Sequence, residues 1–189
     1  YADMSKNPCP ESPNRITRSS PASRASSASS ITARIACAGS GAGMIPSWRA
    51  NCSAAANARA LLVSGNYFRV LGVSPAMGRL FEESDDREPG AHPVVVLSHG
   101  YWTSRFGADP SVLNQTIVIN GQHFTIVGVT PPGFEGTTLG ARPHVYVPIT
   151  MRGLMEPGFD GFANRRSYWA YAFARLKPGV TIDQARVGM

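Results

Sequence analysis

The residues best suited to chemistry in this sequence include four histidines, His92, His99, His123 and His144. A metal site needs two ligands on one helix face or a short strand-spaced pair. His92 and His99 are the closest two in sequence, but a predicted strand separates them, so they cannot share a helix face. We therefore interpret each histidine as a surface or edge residue and predict no metal ligand among them.

Ser98 and His99 place a hydroxyl next to an imidazole, the two groups used in nucleophilic catalysis. Adjacent residues point in different directions, however, and the Gly-x-Ser-x-Gly turn that presents a catalytic serine does not occur. Ser98 is better explained as the N-cap of a helix. Asp85 and Asp86 lie in a charged, solvated loop without an apolar pocket to raise a pKa, so acid–base catalysis is unsupported. We predict no catalytic, cofactor-binding or metal-binding residues, no cofactor and no enzyme activity.

The cysteines and a glycine-rich run all lie in the N-terminal third. Cys9, Cys37 and Cys52 have no zinc-site spacing, and three is an odd number for a disulfide framework. Residues 39–43 are similar to a phosphate-binding loop only in composition, because no Lys-Ser or Lys-Thr follows them and no apolar strand precedes them. We interpret that run as a linker.

Residues 1–59 differ in composition from the rest of the chain. They are rich in Ser, Ala, Arg and Pro, and they carry five of the six net positive charges. The run 19–30 shows neither helical nor strand periodicity, so we predict a largely irregular third, either disordered or derived from a frame-shifted part of the gene. Its arginines lack interleaved aromatics, so no nucleic-acid partner is predicted. Residues 60–189 are predicted to form one folded domain, incomplete at both ends.

From residue 60 the sequence alternates short strands and short helices. Strands are predicted at 60–63, 93–97, 143–148 and 168–176, and helices after Ser64, Ser98 and Thr181. The strongest local pattern is Asn120-Gly121 between two β-branched runs, which predicts a two-residue type I′ hairpin over residues 115–129. Strands and helices mix without regular βαβ spacing, which predicts an α+β fold with a mixed sheet and short packing helices.

Aromatic side chains are concentrated in the predicted elements of this C-terminal part. Those interpreted as core residues are Trp102, Trp169, Tyr171 and Phe173. No apolar run approaches the roughly 18 residues needed to span a bilayer. The chain starts without a plausible initiation site, so we interpret it as a fragment of a longer protein.

A series of short motifs runs through the C-terminal two thirds of the chain. In order they are Leu62–Phe68, Leu71–Phe81, Val94–Trp102, Arg105–Pro110, Ile119–Gly121, Ile126–Phe134, Val145–Pro148 and Ala174–Thr181. Each motif is short, but their order and spacing together are fairly specific. The segment that they cover resembles the MacB-like periplasmic core domain of ABC transporter permeases, and it is most similar to the large soil-bacterial permeases with an FtsX-like part.

The resemblance implies an extracytoplasmic domain at the periplasmic face of the bacterial inner membrane, between two membrane helices of an export permease. It implies three partners: an ATP-binding cassette ATPase subunit or domain, a second permease copy and periplasmic proteins. It also implies that the domain transmits conformational change and carries out no catalysis. The residues leave open a secreted or periplasmic binding module not linked to transport. The loops 82–88 and 133–140 are accessible to partners, but nothing in the sequence distinguishes them from ordinary solvated connections, so no site is assigned to them.

Overall fold

The computed structural model of the chain describes residues 25–37, 56–138, 140–164, 166 and 168–187. Its strands are β1 (Ala25–Cys37), β2 (Ala56–Val63), β3 (Met77–Gly78), β4 (Val94–Leu97), β5 (Thr116–Ile119), β6 (Gln122–Val129), β7 (Val145–Pro148) and β8 (Tyr171–Ala174). Its α-helices are α1 (Tyr67–Leu71), α2 (His99–Phe106), α3 (Arg152–Met155) and α4 (Ile182–Val187), and 3₁₀ helices cover Glu83–Asp86, Pro110–Val112 and Ile149–Met151. Within these ranges no helix combines the length and apolar character that a bilayer crossing requires.

Six of the strands form a closed ring of pairings. From β2 the ring passes through β7, β4, β6, β5 and β1, and β1 pairs back with β2. The β2–β7 and β4–β6 pairs are parallel, and the other four pairs of the ring are antiparallel. Outside the ring, β3 pairs with β6, and β8 pairs with the first residues of β1. The predicted α+β class with a mixed sheet is confirmed.

Apolar side chains pack on both faces of the central strands. Val95 and Leu97 of β4 join one buried cluster. Val96 of β4 and Tyr146 of β7 join a second cluster on the opposite face, together with Phe68 of α1. A strand buried on both faces has no polar face to alternate with the apolar one, which explains the continuous apolar sequence of β4.

The β5–β6 hairpin turns at the predicted residues. Asn120 and Gly121 have φ angles of 51° and 84°, as a type I′ turn requires. Asn120 also fastens other elements to the turn. Its Oδ1 accepts a hydrogen bond from the Arg34 backbone N–H at 2.8 Å, and its Nδ2 donates to the Met155 carbonyl at 3.1 Å. One side chain therefore connects the hairpin to β1 and to α3.

Replacing Asn120 with alanine is expected to lower the free energy of unfolding by about 2–3 kcal/mol. Alanine tolerates a positive φ less well than asparagine, and two hydrogen bonds are lost, each with a net value of about 1 kcal/mol. Urea denaturation followed by circular dichroism measures the effect. His123→Ala changes an exposed residue beside the same turn and is expected to stay within about 0.5 kcal/mol of the unsubstituted chain. Equal stabilities of the two variants would contradict the role of Asn120.

One long strand lies in the region predicted to be irregular. β1 pairs with β2, β5 and β8, and its Ala33 and Ile35 are only 1% exposed. The prediction of disorder is wrong for residues 25–37 and for 56–59, which begin β2. The alternation of residues 31–35 is the period-two pattern of a half-buried strand, but serine and alanine dominate its surroundings. The rest of residues 1–59, including the linker at 39–43, lies outside the described residues.

Three smaller predictions also need correction. The N-cap of α1 is Asn66 rather than Ser64, whose hydroxyl donates to Asn66 Oδ1 at 2.8 Å. The C-terminal aromatic strand is shorter than predicted and covers only β8. Tyr171 is 82% exposed and is therefore not a core residue. β8 lies beyond the ring of strands, and of its four residues only Phe173 is partly buried.

Candidate functional site

The structure brings three of the residues considered for chemistry to one surface cleft. Ser98, His99 and His144 line a cleft of about 330 Å³ between α2 and the segment 131–144, which joins β6 to β7. We call this segment the β6–β7 loop. Glu135 and Arg142 line the cleft from the loop side, where they form an exposed ion pair at 3.0 Å. This loop contains residues 133–140, which the sequence predicts to be a solvated connection.

The β6–β7 loop is anchored by one aromatic side chain and exposed at its middle. Phe134 packs against Tyr67, Phe68 and Tyr146, with ring centroids 5.9–6.4 Å apart. The hydroxyls of Tyr67 and Thr137 lie 3.3 Å apart. A second cleft of about 300 Å³ separates the far side of the loop from β1 and β2. The loop therefore stands between two clefts and is fixed to the core near its start.

Ser98 and His99 do not form a nucleophile–base pair. Ser98 Oγ accepts a hydrogen bond from the Tyr101 backbone N–H at 3.3 Å, which confirms its predicted role as the N-cap of α2. The His99 imidazole lies edge-on to Trp102, with ring centroids 5.5 Å apart. Both side chains are thus engaged by α2 itself.

The His144 side chain lies in the cleft between β2 and α2. Its Nδ1 accepts a hydrogen bond from the Arg59 backbone N–H at 2.9 Å, and its ring centroid lies 5.1 Å from that of Tyr101. Burial lowers the pKa of His144 below its ordinary value, and the positive charge of Arg59 lowers it further. The imidazole is therefore neutral at neutral pH.

The remaining histidines do not assemble a metal centre. His123 is exposed beside the hairpin turn, as predicted, and His92 lies at the entry to β4. In the part of the chain that the structure describes, no three His, Cys, Asp or Glu residues are grouped so that they could hold a metal ion.

The acidic stretch 82–88 differs from the solvated loop that was predicted. Asp85 is 6% exposed, and its carboxylate accepts hydrogen bonds from both terminal nitrogens of Arg79, at 2.6 and 2.9 Å, and from the Glu82 backbone N–H at 2.9 Å. Burial alone would raise the pKa of Asp85, but these hydrogen bonds outweigh it and the pKa lies below its ordinary value. Asp85 is thus a charged structural residue.

Asp86 has a similar structural role. Its two carboxylate oxygens accept hydrogen bonds from the backbone N–H groups of Gly65 and Thr150, both at 3.1 Å. The 3₁₀ helix that carries both aspartates is therefore fastened to the chain before α1 and to the segment after β7. Neither carboxylate is free to transfer a proton in catalysis, since each is committed to backbone or guanidinium donors.

The sequence matches the model of a family described as MacB-like periplasmic core domain over residues 10–188. The chain belongs to this family. The resemblance carried by the short motifs is therefore confirmed, and the match extends upstream of residue 60. No curated protein is significantly similar to this MacB-like periplasmic core domain in sequence.

Solved structures share the fold of this MacB-like periplasmic core domain. The periplasmic region of MacB from Actinobacillus actinomycetemcomitans matches with a TM-score of 0.61 and 16% identity, over 89% of this chain and 65% of that one. The extracellular domain of the noncanonic ABC-type transporter YknZ from Gram-positive bacteria gives 0.55 and 14%, over 88% and 70%. A permease-protein domain from Porphyromonas gingivalis gives 0.56 and 15%, over 88% and 61%. This chain thus spans about two thirds of the length of the MacB structure.

Sequence reasoning missed the position of His144 in the site. The sequence places it after Pro143 at the start of a strand, which indicates an edge residue. Its partner, the Arg59 backbone, is 85 residues away along the chain. Every residue except proline has a backbone N–H, so the sequence does not indicate which one bonds to His144. The contact with Arg59 is evident only once β2 and β7 are known to pair in parallel.

Proposed function

We propose that this domain is the extracytoplasmic part of an ABC-type export permease, where it transmits conformational change between the membrane part and substrate or envelope partners without catalysis of its own. The family match over residues 10–188 carries the proposal. Two of the solved structures that share the fold are the periplasmic region of MacB and the extracellular domain of an ABC-type transporter. On this proposal the domain lies at the periplasmic face of the inner membrane.

The architecture suits a body that moves as one unit. The closed ring of strands has buried clusters on both faces of its central strands, and such close-packed interiors transmit displacement rather than absorb it. The side chains of Asn120 and Asp86 tie elements far apart in sequence to one another. Cys37 is disulfide-bonded, which suits the oxidising compartments outside the cytoplasm.

The proposed partners are an ATP-binding cassette ATPase subunit or domain, reached through the rest of the permease, a second permease copy and periplasmic proteins. The β6–β7 loop is the surface that we assign to the extracytoplasmic contacts. It is anchored by Phe134, while Glu135, Thr137 and Thr138 are exposed. An exposed loop on a rigid scaffold is the usual place for binding residues.

The test uses the full-length permease, reconstituted in lipid vesicles with its ATPase. A fluorescent non-natural amino acid replaces the exposed Thr138, and its emission is compared without nucleotide and with bound ATP. We expect a nucleotide-dependent change in emission. The matched control uses an ATPase variant that cannot bind ATP and is expected to show no change. A constant signal with the intact ATPase would overturn the proposal and favour a binding module not linked to transport.

A further inference from the structure

His144 joins three elements of the fold through three hydrogen bonds. Its backbone N–H donates to the Arg59 carbonyl at 2.9 Å, and its Nδ1 accepts from the Arg59 N–H at the same distance. Its own carbonyl accepts from the Ser98 N–H at 2.9 Å. The residue thus links β2, the start of β7 and the start of α2, at the point where the β6–β7 loop ends.

The bond to Nδ1 exists only while that nitrogen carries no proton. A backbone N–H can only donate a hydrogen bond. A proton on Nδ1 would therefore place two donors, Nδ1–H and the Arg59 N–H, against each other at 2.9 Å. The hydrogen bond would become a repulsion, and the imidazole would have to leave its position beside Tyr101. Its departure removes a side-chain contact that holds the end of the loop against β2.

The surroundings of His144 offer little to stabilise a proton. The titratable and charged groups that face it are Arg59 from β2, His99 and Tyr101 from α2, and Glu135 and Arg142 from the β6–β7 loop. Arg59 is cationic and disfavours a second positive charge. Among the described residues that line the cleft, Glu135 is the only carboxylate, and it is already paired with Arg142 at 3.0 Å.

We propose that His144 is an acid-sensitive latch: when neutral, its imidazole ties the end of the β6–β7 loop to β2 through Nδ1, and this side-chain tie breaks when the imidazole takes a proton from solvent, while the backbone bonds of the residue remain. The latch goes beyond the proposed function, because its acid response requires only the folded domain and no transport activity. Histidine is the side chain whose charge changes in the mildly acidic range. Since the folded pKa of His144 lies below its ordinary value of about 6.5, the latch is closed at neutral pH and is lost as the pH falls through that lowered pKa.

The latch is tested by nuclear magnetic resonance titration of the 189-residue chain between pH 7.5 and 4.5. We expect the Arg59 amide resonance and the amides of residues 133–138 to shift together, with one midpoint below 6.5. The His144 imidazole carbon resonances, recorded in the same samples, are expected to titrate with that midpoint. Different midpoints, or no shift of the Arg59 amide, would overturn the proposal without any variant being needed.

Two variants separate the latch from general acid effects. His144→Asn places an amide oxygen near the position of Nδ1, so the acceptor is kept and the titration is removed. We expect the loop amides of that variant to lose their acid transition while its spectrum at pH 7.5 stays folded. His123→Asn removes an exposed histidine and is expected to keep the transition unchanged. A loop transition that persists in His144→Asn would refute the latch.

Discussion

Replacing Gly128 with alanine is expected to lower the free energy of unfolding by about 3 kcal/mol or more. Gly128 of β6 pairs with Gly78 of β3, and a Cβ atom at position 128 would overlap the Arg79 carbonyl oxygen. The obstacle is backbone, which cannot rotate away as a side chain can. Adding atoms to a well-packed site commonly costs about 1–3 kcal/mol. Because backbone atoms are the obstacle here, we expect the cost at Gly128 to lie at or beyond the upper end of that range. Soluble yield and the urea midpoint measure the loss.

Gly100 provides the matched control for that substitution. It lies in the first turn of α2, and a Cβ atom there would meet nothing within 4 Å. Gly100→Ala is therefore expected to leave stability unchanged or to raise it by about 0.5–1 kcal/mol, because alanine restricts the unfolded chain and favours helix. If both alanine variants unfolded at the same urea concentration, the close approach of β3 to β6 would not be a stability determinant.

The motif glycines show what a sequence can and cannot reveal about this fold. Gly65, Gly78 and Gly128 all lie in motifs that carry the family resemblance. At each position a Cβ atom would overlap the backbone of another segment, as at Gly65 against the Glu82 carbonyl. A glycine in a strand pattern indicates a close approach, but the approaching segment cannot be read from the neighbours.

Elements defined by local signals were predicted well. The hairpin at Asn120-Gly121 and the N-cap at Ser98 each depend on residues within a few positions of one another. β1 was not predicted, because its stability comes from three partner strands far away along the chain. The inward-facing residues of β1 include small ones such as Ala33, which pack against those partners. Because alanine is only weakly hydrophobic, the period-two pattern of β1 is weak in the sequence.

In the candidate site, too, features set by local residues were predicted and features set by distant partners were not. Residues 133–140 were recognisable as an exposed loop, and Ser98 as a cap, from their own types. The buried state of Asp85 was not, since it depends on a guanidinium and a backbone N–H that close around it only in the folded chain. Charged residues are almost never fully buried unless they are paired. Since no partner for Asp85 is evident from the neighbouring residues, the sequence predicts that its carboxylate is exposed.

Asp85→Asn is expected to lower the free energy of unfolding by about 2–3 kcal/mol at pH 7. The substitution keeps the size of the side chain but removes the charge that pairs with Arg79. Hydrogen bonds to charged groups contribute about 1.5–3 kcal/mol each, while breaking a fully buried pair costs about 3–5 kcal/mol. The Arg79 side chain is 46% exposed and can be solvated when its partner is lost, so the expected effect lies below that upper range.

The pH dependence of the same variant distinguishes lost charge from lost packing. Because the folded pKa of Asp85 is lowered, its contribution to stability is present above the unfolded value of about 3.9 and is lost as the pH falls through the folded value. The difference between the unsubstituted chain and Asp85→Asn should therefore be full at pH 7 and shrink below about pH 4. Glu88→Gln, an exposed change in the same loop, is the matched control and is expected to stay within about 0.5 kcal/mol of the unsubstituted chain at pH 7. A difference that stayed constant down to pH 2.5 would mean that Asp85 acts through shape rather than through its ion pair with Arg79.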